Sequence, residues 1–106
     1  MAQLYWTKNK YTLNFGAGAT THAEQPIDLN GVATLALFLP AEFNGDVLTL
    51  RSADTNDTGI TVNAVTGRNT LDSDQALAIS TMQDLRITTN TATAAAAVIT
   101  VVTLGG

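Results

Sequence analysis

The chain of 106 residues contains no cysteine and few charged side chains, and both shortages narrow the functions open to it. Without cysteine there is no disulfide framework and no thiolate metal site, so packing alone must hold the fold. Charged residues make up 13% of the chain, which is about half the usual share. With five Lys and Arg against nine Asp and Glu, no basic stripe can neutralise phosphates, and we expect no nucleic-acid binding.

Long apolar runs are also missing. No apolar stretch approaches the roughly 20 residues that a membrane span needs. The first ten residues, MAQLYWTKNK, lack the apolar centre of a signal peptide. We therefore expect no membrane partner, and synthesis in the cytoplasm without Sec-type export.

Catalytic side chains are scarce. His22 is the single histidine and sits among glycine and alanine, where we expect an exposed loop residue. The serines lack a nucleophile motif such as G-x-S-x-G. The sequence therefore predicts a protein that is not an enzyme and holds no cofactor.

The residues that are abundant favour strands. Thr, Val, Ile and Leu dominate, which is typical of an all-β domain. Short apolar or alternating runs recur every 8 to 12 residues or so, and this spacing predicts one β-sandwich or jelly roll of about seven or eight short strands in residues 27–106. The predicted strands are 32–39, 46–52 paired with 60–65, 84–89 and 97–104, with a turn at 66–69 and either a strand or one helical turn at 75–79.

Residues 1–26 differ from the rest in being rich in aromatics and then in loop residues. The pattern predicts two short strands around 7–10, followed by a flexible connection at 16–26. Two readings stay open: an N-terminal arm that reaches onto a neighbouring molecule, or an edge hairpin of the same domain. Because interfaces favour aromatic anchors, the candidate partner-binding residues are Tyr5, Trp6, Tyr11, Phe15 and, in the turn after 32–39, Phe43.

One connection looks like half of a calcium loop. Asp54, Asn56 and Asp57 supply oxygen ligands ahead of Gly59, as in the first half of a Ca²⁺-binding loop. Val65 stands where a bidentate glutamate should close the cage, and a polar hairpin turn explains the same residues. No metal site is predicted here.

The run 84–104 is the least charged long stretch of the chain. It predicts an alternating strand, a crossing of small residues at 94–97, and a closing strand of β-branched residues. Such a strand needs cover, and we expect a second sheet and other copies of the chain to provide it.

Three pieces of the chain resemble, in order, a small all-β head decoration or cement protein of tailed bacteriophages. They are LFLPAEFNGDVLTLRSAD, QALAISTMQDLRITTNT and TATAAAAVITVVTL, and they fall within residues 37–104. The connection ADTNDTGITVN departs from the longer hairpin of that family. The resemblance implies a structural virion protein on the capsid surface that binds the major capsid protein as a homotrimer, with its contacts on loops and the N-terminal arm.

A second hypothesis comes from the aromatic residues alone. Tyr5, Trp6 and Tyr11 could form a flat platform for sugar rings. On this reading the chain is a carbohydrate- or receptor-binding β-sandwich module of a virion.

Overall fold

The computed structural model describes residues 7–52 and 59–105 of the chain. These residues form eight strands, one 3₁₀ turn at Ala41–Phe43 and one α-helix, α1, at Ser73–Ser80. The strands are β1 (Thr7–Phe15), β2 (Ile27–Asp28), β3 (Val32–Leu39), β4 (Val47–Arg51), β5 (Ile60–Asn63), β6 (Gly67–Thr70), β7 (Asp84–Thr89) and β8 (Ala97–Gly105).

The strands form two antiparallel sheets that pack as a sandwich. The first sheet has the order β1-β8-β3-β6 and the second the order β2-β7-β4-β5. Strand β1 pairs with β8, β2 with β7, β3 with β6 and β4 with β5. This nested pairing is that of a long antiparallel ribbon rolled into two sheets, which is the jelly-roll arrangement. The predicted all-β sandwich is confirmed, and its topology is that of a jelly roll.

The core lies between the two sheets because alternate residues of each strand point inward. Strand β8 shows the pattern. Ile99 and Val101 point inward and are fully buried, while Val98 points to the other side of the sheet and is 41% exposed. Phe15 and Phe43 meet edge to face in the core, with ring centroids 5.1 Å apart. The largest fully buried side chains are Phe15, Phe43, Leu13, Leu29, Leu37, Leu48, Leu50, Ile79, Leu85, Ile87, Ile99 and Val101.

The ambiguous segment 75–79 is helical. Asp72 accepts a hydrogen bond from the backbone of Gln75, and the Gln75 side chain accepts one from the backbone of Asp72, so a capping box begins α1. The helix buries Ile79 in the core. Strong helix formers follow the cap, and the cap explains why this stretch does not extend as a strand.

The predicted turn at 66–69 was wrong, because most of it belongs to β6. The strand Gly67–Thr70 has no apolar side chain and therefore no alternation to detect. Its inward residue is Asn69, whose amide group binds the backbone of Val65 and Gly67. A satisfied polar side chain takes the place of a hydrophobic one here.

The N-terminal segment is part of the sandwich. The predicted turn at 7–10 lies within one strand, β1, which pairs with β8 over nine residues from Thr7 to Phe15. The first of the two short strands predicted around this turn lies outside the described residues. The following loop is bonded to the same domain: Thr93 donates to Ala19, and Thr89 donates to Thr20. Residues 7–26 thus form an edge strand and a fixed loop where a flexible connection was expected.

The alanine-rich crossing between β7 and β8 is held by the turn after β3. The carboxylate of Glu42 accepts hydrogen bonds from the backbone of Ala94 and Ala95, with N···O distances of 2.7 and 3.3 Å. Nearby, Asn90 and Val47 bond to each other through backbone and side chain. All three pieces that carry the family resemblance therefore meet at one end of the sandwich.

Candidate interaction surface

Three of the five predicted partner-binding residues lie among the described residues, and these three do not form an exposed surface. Tyr5 and Trp6 lie outside the described residues. Tyr11 is half-buried and packs against the core. Phe15 and Phe43 are 1% and 0% exposed, so they stabilise the sandwich from within and a partner could not reach their rings without opening it.

His22 is buried, in contrast to the exposed position that its neighbours predict. Its Nε2 accepts a hydrogen bond from the backbone N–H of Ile87 at 3.2 Å, and its Nδ1 lies 3.1 Å from the carbonyl oxygen of Glu24. Both contacts are satisfied by the neutral ring that carries its proton on Nδ1. Burial lowers the pKa of His22, and the nearby charge of Arg86 lowers it further.

Arg86 fastens the loop around His22 to strand β7. Its guanidinium donates to the carbonyl oxygen of His22 at 3.2 Å, to the carbonyl oxygen of Glu24 at 3.4 Å and to the hydroxyl of Thr21 at 3.2 Å. The Glu24 carboxylate in turn accepts from the backbone and side chain of Asn14, and these bonds lower the pKa of Glu24. Arg86, His22 and Glu24 therefore all take part in hydrogen bonds that hold the loop around His22 in place.

Metal binding finds no support among residues 7–52 and 59–105, which contain no group of three or more His, Asp or Glu side chains placed to hold an ion. Asp54, Asn56 and Asp57 lie outside the described residues. A depression of about 480 Å³ exposes Asp28 and Asp84, which face each other across the β2–β7 pair. Asp28 accepts from the backbone of Asn30, and Asp84 accepts from the hydroxyl of Ser52.

No helix in the described ranges 7–52 and 59–105 is long and apolar enough to cross a membrane.

The outward side of the first sheet combines apolar side chains with cations. The pairing registers align the outward residues in three rows across β1, β8, β3 and β6. We call this surface the open face. Its rows are Thr12, Thr100, Phe38 and Arg68; Lys10, Val102, Ala36 and Thr70; and Lys8, Leu104 and Thr34, with Val98 beyond the first row.

The open face has an apolar centre and cationic edges. Phe38 and Val98 are two of the four exposed large hydrophobic side chains of the described residues, at 40% and 41%, while the more exposed Val65 and Leu77 lie outside this sheet. Lys8 and Lys10 stand on edge strand β1, and Arg68 stands on the opposite edge strand β6. None of the twelve residues of the face is acidic.

The outward side of the second sheet has a different character. Strands β4 and β5 turn Val47 and four polar residues outward, Thr49, Arg51, Thr61 and Asn63, and the His22 loop lies along β7. A polar surface of this kind is stable in water. The contrast singles out the open face as the side of the sandwich that a partner would cover.

Two shallow depressions divide the open face. One, of about 360 Å³, lies between Lys8 and Arg68 over Ala36 and Leu104. The other, of about 390 Å³, is lined by Lys10, Phe38, Thr100 and Val102. Val102 lines both depressions, so they adjoin, and we call them the hollows of the open face. Lys8 and Arg68 line the first hollow, and Lys10 lines the second. This arrangement can bind apolar groups of a partner.

The signal for this surface was present in the sequence only in part. The outward positions of 97–104 are Val98, Thr100, Val102 and Leu104, and their apolar character predicts some cover on both sides of the strand. The lysines could not be added to this set, because their alignment with β8 depends on a pairing between residues about 90 positions apart.

Comparison with known proteins gives a fold relationship. The chain is similar to the crystal structure of the SPBc2 prophage-derived protein YomS, with a TM-score of 0.63, 8% sequence identity and 99% of each chain covered. At this identity the likeness shows a shared fold. No protein-family model matches the chain, and no curated protein matches it in sequence.

Proposed function

We propose that this protein is a structural virion protein that decorates a phage head by binding the major capsid subunits, as a homotrimer, through its open face. The observation that carries the proposal is the asymmetry of the sandwich. One outward side is polar, and the other has an apolar centre with Phe38 and Val98 exposed. An apolar sheet face without cover in the same chain is typical of an interaction surface.

Two further lines support a virion role. The protein whose fold this chain shares is described as prophage-derived. Jelly rolls are common in viral capsid proteins. Both are associations at the level of the fold, and they agree with the resemblance of residues 37–104 to head decoration proteins.

The size of the open face favours attachment to a repeating lattice. Four strands spaced about 4.8 Å apart and a β8 segment of seven residues span roughly 14 by 20 Å. A patch of this size is smaller than the roughly 800 Å² that each partner contributes to a stable interface. Three such faces on a trimer would bind a capsid together far more tightly than one alone, because the later contacts become intramolecular.

The proposed function is not catalytic. Chemistry based on imidazole would depend on His22, and both ring nitrogens of His22 are bonded to the backbone. The alternative of sugar binding depends on Tyr5 and Trp6, which lie outside the described residues, and on Tyr11, which packs inward. The geometry of the described residues therefore favours adhesion to a protein.

The proposal is tested by co-sedimentation of the purified protein with assembled phage heads that lack it. Val102→Glu places a carboxylate at the centre of the open face, beside Lys10 of the neighbouring strand, and removes the apolar side chain that lines both depressions. We expect this variant to bind heads at least about tenfold more weakly, or by about 1.4 kcal/mol, since the contact loses apolar burial and must desolvate a charged group.

Thr49→Glu is the matched control, because it adds the same charge to a central strand of the other sheet. It should bind heads like the unaltered protein. If the unaltered protein does not bind heads, or if Val102→Glu and Thr49→Glu bind equally well, the proposed function of the open face is wrong.

A further inference from the structure

The charges of this protein are distributed unevenly between the open face and the rest of the chain. The sequence has five Lys and Arg and a net charge of −4. Three of these cations, Lys8, Lys10 and Arg68, lie on the open face. The rest of the chain therefore keeps two cations and nine carboxylates, a net charge of −7.

This distribution selects the charge of a partner. An acidic protein surface is repelled by most of the molecule and attracted by one face, so its approach is oriented as well as attracted. A basic partner would find its attractive contacts everywhere except on the open face. Charge complementarity thus assigns the open face to an acidic partner.

The cations of the face have no carboxylate on the face to neutralise them. Glu24 reaches strand β1 only at Asn14, beyond the rows of the face, and Asn14 occupies both of its oxygens. Lys8 and Lys10 are exposed on the edge strand, and Arg68 is exposed on the opposite edge. A partner can therefore bring its own carboxylates to these groups.

The hollows set the spacing of the apolar groups that would fill them. They adjoin at Val102 and follow successive rows of the sheet. Successive rows are two residues apart along β8, which is about 7 Å in an extended strand. Alternate side chains of an extended segment have the same spacing.

We propose, building on the proposed function, that the open face recognises an extended acidic segment of its partner protein, in which two alternate apolar side chains enter the hollows and carboxylates on the same side of the segment meet Lys8, Lys10 and Arg68. The apolar contacts supply most of the binding energy, and the charges select the partner and its orientation. A second copy of this chain is the competing occupant.

The inference is tested without phage heads by NMR titration with capped peptides. The probe is Glu-Ser-Leu-Ser-Leu-Ser-Glu, which has its glutamates and leucines on the same side when extended, and the control peptide of matched length is Lys-Ser-Leu-Ser-Leu-Ser-Lys. We expect the acidic peptide to shift the amide signals of residues 34–38 and 98–104, and to lose this effect as salt screens the charges. The basic peptide should leave these signals unchanged.

A matched pair of variants locates the charge effect. Arg68 and Arg51 are both exposed strand residues on opposite outward sides of the sandwich. Arg68→Glu should weaken acidic-peptide binding at least threefold and Lys8→Glu/Lys10→Glu should weaken it further, whereas Arg51→Glu should not. Retained dispersion of the remaining signals shows that each variant is folded.

The outcomes separate this inference from the proposed function. Equal shifts with both peptides, no shifts with either, or equal losses for Arg68→Glu and Arg51→Glu would overturn the acidic-partner inference. Concentration-dependent broadening of 34–38 and 98–104 without peptide, unrelieved by the acidic peptide, would assign the face to a second copy. Selective acidic-peptide binding by a protein that never binds heads would support the inference and reject the head-binding function.

Discussion

At the scale of single residues, the neutral ring of His22 is part of the folded structure. Its Nε2 accepts the backbone N–H of Ile87, and a proton on that nitrogen would turn the acceptor into a donor facing another donor. Burial lowers the pKa of His22 because it disfavours the charged ring, and the charge of Arg86 lowers it further. The unfolded chain therefore takes up this proton at a higher pH than the folded chain does.

This difference predicts a loss of stability in mild acid. The contribution of neutral His22 is complete above about pH 6.5 and is lost as the pH falls toward the lower pKa of the folded state. The free energy of unfolding should fall between pH 7 and 5, with a slope that approaches about 1.4 kcal/mol per pH unit. Urea unfolding at a series of pH values measures this slope.

The variant His22→Gln is the control for that slope. Glutamine does not titrate, so the variant should be less stable at pH 7 by about 1 to 3 kcal/mol yet show a flatter curve between pH 7 and 5. An unchanged slope in His22→Gln would show that other groups cause the acid sensitivity.

At the scale of elements, strand β8 joins the whole first sheet, because it pairs with β1 on one side and with β3 on the other. Its last residue, Gly105, lies opposite both Thr7 and Val32. A Cβ atom at Gly105 would overlap the carbonyl oxygen of Gly31. The end of β8 is thus a close backbone approach that only glycine permits.

Gly105→Ala should therefore destabilise the fold by about 1 to 3 kcal/mol, the usual range for forced overlap in a packed region. Gly16→Ala is the matched control, because a Cβ atom there meets nothing within 4 Å. Thermal unfolding of the two variants tests the difference. Equal midpoints would contradict the close approach at Gly31.

Elements with a clear side-chain pattern could be predicted from the sequence, and elements held by polar groups could not. The strand at 32–39 was predicted with the bounds that the structure shows, because its apolar run ends at a proline. Strand β6 was missed because Asn69 fills its inward position. The burial of His22 was missed because Ile87, which donates to its Nε2, lies 65 residues away along the chain.

At the scale of the whole molecule, the outward sides of the two sheets differ in composition. The second sheet and the His22 loop present polar groups to water, and the first sheet presents an apolar centre between cationic edges. The sequence could predict that 97–104 needs cover, but the composition of the full face depends on four strands from distant parts of the chain. The expectation that loops and an N-terminal arm make the contacts stays a prediction, because Tyr5 and Trp6 lie outside the described residues.

We propose that the open face is the side of the molecule that attaches to its partner. Hydrogen–deuterium exchange of the protein, free and bound to assembled phage heads, measures this directly. We expect the backbone amides of residues 34–38 and 98–104 to exchange more slowly on bound heads, and those of β4 and β5 in the second sheet to exchange as in the free protein. Protection confined to β4, β5 or the loop 16–26, with the open face still exchanging as in the free protein, would contradict it.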